Sequence, residues 1–312
     1  MMDEFALIKQ YFHTPFTHTL DVSGGLDDCA VLSLPEGYCQ TISVDTMVEG
    51  KHFFADMAPV DIGYRALAVA VSDLAAMGAK PWWFTLALTL PEASEPWLKA
   101  FSEGLKILAD KLDIQLIGGD TTRGPLAVSV QVAGLVPLDQ GLYRSNAQVG
   151  DVVAVTGTLG DAAGGVAQWQ QAKASTYLQQ RYCRPTPRIK EAGMLLPLAS
   201  SCIDISDGLL ADAGHIAARS KLALRLELNK LPISDALRLA VGEDVSRQYA
   251  TSGGDDYELC FTLARKHVAA LRSAGLYFTV IGEVLSGAGV QLIDNDGTEI
   301  TLSSTGYNHF ND

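Results

Sequence analysis

Along the chain, stretches that alternate apolar and polar residues are interleaved with stretches whose apolar residues recur three and four apart. Residues 5–12 read as a short helix. Within Ala30–Val48 the runs AVLSL and CQTISV, separated by the turn sequence PEGY, predict a pair of strands. From Val60 to Met77 the chain is apolar nearly all round, predicting a buried helix closed by Gly78 and by Pro81 soon after. In that helix Ile62, Ala66, Val69, Asp73 and Ala76 share one stripe, so the pattern buries Asp73 with them. PWWFTLALTLP predicts a strand, WLKAFSEGLKILADKL an amphipathic helix, and IQLIGG and LAVSVQVAGLVP two more strands.

The polar, turn-rich segment 137–151 sets a boundary between domains 1–137 and 149–312. The second half opens with a strand (DVVAVTG), a Gly-rich turn (TLGDAAGG) and a helix to about Gln180. RPTPR leads into a helix through Leu196. SCIDIS is a strand, and a helix opens at Ser206-Asp207-Gly208. LALRLEL, YELCFTL, YFTVIGEV and VQLID predict later strands. Interleaved elements in two halves give the expected fold class, two α+β domains.

Composition narrows the partners. With 23 Lys and Arg against 36 Asp and Glu, the net charge is −13, and no basic run exists. Nucleic acid and an anionic membrane surface are thereby excluded as expected partners. Phosphates can still bind, provided bound cations or a few placed arginines reverse the sign locally. The five cysteines (29, 39, 183, 202 and 260) are never spaced C-x-x-C, which fits a reducing compartment and neither a disulfide framework nor a zinc site. MMDEFALIKQYF lacks a signal peptide's apolar core, and no apolar run approaches the roughly 18 residues of a membrane span. A cytoplasmic chain is expected.

The candidate chemistry lies in a repeated Gly–Asp grammar: SGGLDDCAV (Ser23–Val31), IGGDTTRG, DISDGL and SGGDDYEL. Each has a conformational alternative. Asp and Gly are the commonest turn residues, Ser206 or Asp207 would make a good helix N-cap, and Asp73 could pair with Arg65 or a backbone amide. His52, past a Gly turn, reads as a surface or core residue. TLGDAAGG lacks the Lys-Ser or Lys-Thr of a Walker A loop, and there is neither G-x-G-x-x-G nor H-R-D with D-F-G. As a set, however, Asp28, Asp45, Asp73, Asp120, Asp204 and Asp207 lie at strand ends, at helix starts or on a buried face, mostly beside Gly. Hard oxygen ligands in that number suit Mg²⁺, which keeps waters and bridges phosphates.

GLDDCAV, SVDTMVEGKHF, VSDLAAMGAKP, LIGGDTTRG, VTGTLGDAAGG, RPTPRI, IDISDGL and SGGDDYELCF, in this order, resemble the thiamine-monophosphate kinase family. That family belongs with aminoimidazole-ribonucleotide synthetase and selenophosphate synthetase, and the resemblance runs from about residue 4 to GYNHF. It implies an N-terminal α/β domain that pairs with its copy in a homodimer and a C-terminal α/β domain folding over the nucleotide. It further implies ATP-dependent phosphorylation of thiamine monophosphate to thiamine diphosphate. By motif position, Asp28, Ser43, Asp45, Asp73, Asp120 and Asp204 fall where the family binds Mg²⁺, joined by Asp207. Gly119, Asp120, Arg144 and Ser206 match nucleotide-contacting positions, and His52, Asp255 and Tyr307 match positions that contact the thiamine substrate. The chain departs from the family at Leu26 (usually Gly), Val44 (commonly Thr) and Asp255 (usually Glu).

The nucleophile in such a reaction is a phosphate oxygen already anionic at pH 7, so no catalytic side chain is expected. Positioning and charge neutralisation carry phosphoryl transfer, supplied by several Mg²⁺ ions with Arg144 and Arg123. The alternatives are a related synthetase-like enzyme with another substrate, a metal-dependent phosphohydrolase, and a non-catalytic nucleotide-binding module. Selenophosphate synthetase is disfavoured, since no Cys or Lys sits in a glycine-rich segment before the first Asp motif.

Overall fold

The computed structural model describes residues 4–16, 19–23, 27–171, 176–300 and 306–307. They divide into two packed units, Met1–Leu74 with Ala79–Asp139, and Ala75–Gly78 with Gln140–Asp312.

In the first unit a short helix α1 (Glu4–Leu7) runs on as a π-helical turn, Ile8–His13, that buries Tyr11 and Phe12. The alternating segments become β1 (Tyr38–Val48), then, after helix α2 (Pro59–Ala76), β2 (Lys80–Leu90). Helix α3 (Glu95–Leu112) leads to β3 (Gln115–Arg123) and β4 (Ala127–Pro137). The sheet order is β1-β4-β2-β3, and only β2 and β3 are parallel. A parallel pair needs a crossover, and α3 provides it. Leu98, Phe101, Leu105 and Leu108 form its buried face, with Phe12 edge-on to Phe101 at 6.3 Å. Each such side chain contributes roughly 1.5–3 kcal/mol by leaving water.

Three expectations change here. AVLSL forms no strand, because the amide of Val31 is taken by the carboxylate of buried Asp21 (2.8 Å) and its carbonyl accepts from Val22 (3.0 Å). CQTISV therefore pairs with distant β4, Ser43 opposite Val132 and Asp45 opposite Val130. Pro81 does not follow the helix as a stop. It is the second residue of β2, where a register shift between Pro81 and Trp83 accommodates its missing N–H. Asp73 is the half-buried position of an otherwise buried helical turn rather than a core residue.

The second unit begins with β5 (Val152–Thr156), α4 (Asp161–Gln170), α5 (Thr176–Cys183) and α6 (Ile189–Leu195). β6 (Ala199–Asp204), α7 (Leu209–Ser220) and β7 (Ala223–Glu227) follow. The remainder is α8 (Asp235–Val241), α9 (Glu243–Ser252), β8 (Leu259–Leu263), α10 (Val268–Ser273), β9 (Phe278–Leu285) and β10 (Gly289–Ile293). The order β10-β7-β9-β5-β8-β6 places β5 near the middle. Val153 and Val155 enter one core with Ile203, Leu209 and Ile216, while Val152 and Ala154 enter another with Leu195 and Phe261. That two-sided burial explains why VVAVT is continuously apolar. The single helix expected up to Gln180 is two, α4 and α5, and the junction 172–175 lies outside the described residues.

Candidate active site

β1 carries Ser43 and Asp45 on one face, and Ile42 and Val44, both exposed, on the other. The Ser43 hydroxyl donates to Asp73 Oδ2, which ties the strand to α2. Burial, and then the negative charge of Asp73, push the Asp45 carboxyl up to about 6. The charge of one half-buried carboxylate thus acts on the other. With the neighbouring hydroxyl they offer only hard oxygen donors, a set that fits Mg²⁺. Val44 points away from this face, so only its backbone carbonyl could join a metal there.

Of the other first-unit positions, Asp120 stands apart from β1. Asp28 is exposed, its amide bonded to the Asp27 carboxylate at 2.9 Å; Leu26 lies outside the described residues. Asp120 is exposed on β3, opposite Ala87, and β4 and β2 separate that strand from β1. Three strand spacings amount to about 14 Å. Among the described residues, no group of three or more His, Cys, Asp or Glu side chains is gathered to hold a metal ion. Gly119 precedes Asp120 where a Cβ would fall on the Leu86 carbonyl oxygen. Arg123 is exposed. His52 Nδ1 accepts from the Val48 amide at 3.0 Å, which puts the neutral ring's proton on Nε2.

In the second unit β6 delivers buried Asp204 at its end. The turn beyond it is shaped by Asp212, whose Oδ2 accepts the amides of Ser206, Asp207 and Gly208 at 3.0, 3.1 and 3.1 Å. This replaces the expected N-cap: neither Ser206 nor Asp207 caps the helix, and the N-cap position is Gly208. Burial, and then the charge of Asp207, push Asp212 up to about 7, against the pull of those three amides. On this turn the Asp255 amide donates to the Ser206 carbonyl (2.9 Å) and the Tyr307 amide to the Asp207 carbonyl (3.0 Å). Ser206, Asp207, Asp255 and Tyr307 thus share one place. Arg144 is exposed, and its carbonyl accepts from Ser220 Oγ at 3.0 Å, at the far end of α7 from Ser206. Twelve helical residues separate those ends by about 18 Å. The pattern reading had missed Asp21 and Asp212; their only signal was an Asp a few residues from a Gly-rich turn.

The two mixed α/β units define a two-domain protein of the AIR synthase related class. The AIR synthase related protein N-terminal domain matches residues 26–136, and the C-terminal domain matches residues 148–295. Thiamine-monophosphate kinase of Escherichia coli K12 is 47% identical over 318 residues, covering 98% of each chain. The crystal structure of thiamine-monophosphate kinase from Stenotrophomonas maltophilia K279a is 48% identical and aligns with a TM-score of 0.83, over 88% of this chain and 90% of that one. AaThiL complexed with AMPPCP and TMP is 31% identical, with a TM-score of 0.80 over 99% of each chain. This chain belongs to the thiamine-monophosphate kinase family.

Proposed function

We propose that the chain transfers the γ-phosphoryl group of ATP to the phosphate of thiamine monophosphate, giving ADP and thiamine diphosphate. The observation that carries this reading is end-to-end similarity: 47% identity to a thiamine-monophosphate kinase over 98% of both chains. AaThiL, bound to AMPPCP (an ATP analogue) and to TMP, supports the same pair of substrates. The acceptor phosphate attacks the γ-phosphorus in line as an oxyanion, so no side chain need remove a proton. Bound Mg²⁺ would neutralise the charge that otherwise keeps the two phosphates apart.

The residues have these proposed roles. Asp28, Ser43, Asp45, Asp73 and Asp120 of the first domain, and Asp204 and Asp207 of the second, would hold Mg²⁺. Gly119, Asp120, Arg144 and Ser206 would hold the nucleotide, and His52, Asp255 and Tyr307 the thiamine phosphate. Residues 1–137 would form the metal, ATP and dimerisation domain, and 149–312 the second domain. The open edge of β1, with Ile42 and Val44 exposed, supports pairing with a second copy. Among the described residues no helix is long and apolar enough to cross a membrane, and a cytoplasmic location is proposed.

The test is ADP release from Mg·ATP with and without thiamine monophosphate, with the product identified by mass. Acceptor-dependent release with thiamine diphosphate as product is expected. Equal ADP release without an acceptor would instead make the protein a phosphohydrolase.

A further inference from the structure

The segment Gly253–Glu258 alternates between displayed and anchored side chains. Asp255 and Tyr257 are half-buried, whereas Asp256 and Glu258 are 2% and 0% exposed. Asp255 and Tyr257 have φ of 71° and 51°, in the left-handed region that non-glycine residues occupy only when their surroundings hold them there. The Tyr257 hydroxyl donates to Asp255 Oδ1 at 2.9 Å, so the displayed residues are one unit.

The anchors are unusual in kind. Asp256 accepts the amides of Gly160 (2.6 Å) and Ala162 (3.3 Å) at the start of α4. Glu258 accepts from Thr156 Oγ1 at 2.6 Å and from Arg181 Nη2 at 2.7 Å. Arg188, the last residue of RPTPR, places Nε on Glu258 Oε2 at 2.6 Å and Nη2 on Oε1, a two-pronged fork. Arg181 Nη2 also reaches the Asp256 carbonyl at 3.5 Å. Two arginines fixing one fully buried carboxylate is a costly way to stabilise a core, since apolar residues of the same volume often do as well or better. What the fork supplies and apolar packing does not is direction. None of these residues has a part in the phosphoryl transfer described above.

We propose that Glu258, clamped by Arg188 and Arg181, is a positioning residue that fixes the orientation of Asp255 and Tyr257 and thereby the affinity for the thiamine phosphate acceptor. The proposal rests on the reading in which Asp255 meets that acceptor. The clamp acts from beneath, through the chain itself. Glu258 follows Tyr257 directly, its carbonyl accepts the Ile205 amide (2.7 Å) and the Tyr257 amide donates to the Ile205 carbonyl (2.8 Å). A Glu258 that shifts out of the fork therefore displaces the backbone that carries Tyr257 and Asp255. A lysine at 188 keeps the charge but is a point donor without the fork.

The test compares steady-state kinetics of the full-length chain and its variants Asp255→Asn, Arg188→Lys, Glu258→Gln and Arg188→Lys/Asp255→Asn. Asp255→Asn is expected to raise KM for thiamine monophosphate about tenfold. Arg188→Lys and Glu258→Gln should each raise the same KM about fivefold or more, with KM for ATP within about twofold and kcat within about threefold. The double variant should be no worse than the worse single one, because both substitutions remove the same contact. Multiplying effects in the double variant, or equal changes in kcat and both KM values, would reduce the clamp to a structural role and overturn the proposal. So would a normal KM in Arg188→Lys and Glu258→Gln while Asp255→Asn is impaired, or failure of both clamp variants to fold. A normal KM in Asp255→Asn would overturn the assignment of Asp255 itself, and the positioning role with it.

Discussion

Asp73 raises the proton affinity of Asp45, and Ser43 already spends its hydroxyl hydrogen on Asp73. The pH dependence follows from the sign of the shift. Asp45 is raised to about 6, above the ordinary aspartate value of about 3.9. In the metal-free protein its contribution to stability is fully present below the ordinary value and is lost as pH rises through about 6. Mg²⁺ held by Asp45 would reverse this, because it would bind the ionised form and would have to displace a proton below about 6. The rise in Tm on adding Mg²⁺ should therefore be large at pH 8 and nearly absent at pH 5, and Asp45→Asn should flatten the difference. Thermal unfolding with and without Mg²⁺ at the two pH values checks this; equal Tm shifts at both would remove Asp45 from the metal site. Asp73 was conspicuous in the bare sequence because a carboxylate on an apolar helix needs a reason. Asp212 was not, because its task is to accept three amides of a turn whose shape no local pattern encodes.

At the scale of elements, β2 and α3 were legible because one period governs each of them and their cores are local. AVLSL was misread because its pairing was decided by Asp21, ten residues before Val31, and α8 to α10 were missed because six to ten residues carry too little periodicity. The Glu258 clamp joins residues 70, 77 and 102 positions apart, beyond any pattern in a short window. The contact of β2 with β3 gives a test at this scale. Gly118 has no atom within 4 Å of a would-be Cβ, whereas at Gly119 a Cβ would fall on the Leu86 carbonyl oxygen of the neighbouring strand. Gly119→Ala must push β3 off β2 beside Asp120 and should cost roughly 1–3 kcal/mol, the usual range for overpacking. Gly118→Ala should lie within about 0.5 kcal/mol of wild type. Urea unfolding midpoints of the two variants decide it, and equal midpoints would mean that the strands yield at Gly119 without loss.

For the molecule as a whole, the open edge of the first sheet poses the largest question. β1 is eleven residues long, stands at the end of its sheet and exposes Ile42 and Val44 at 57% and 62%. Edge strands of that length and character pair with other chains unless something covers them. Two copies that each carry a net charge of −13 repel one another, so an apolar contact has to outweigh that repulsion. Because Ile42 and Val44 lie on the face opposite Ser43 and Asp45, the edge can be altered without touching the candidate metal ligands. If β1 pairs with a second copy, the wild type should sediment as a dimer and Ile42→Lys/Val44→Lys as a monomer at the same concentration, while the Mg²⁺-dependent rise in Tm at pH 8 survives. Wild-type protein that sediments as a monomer at tens of micromolar would refute pairing through β1. A monomeric double variant that keeps its Mg²⁺ response but loses kinase activity would carry the argument one step further, since the acidic pair would then bind metal in one chain while turnover requires two.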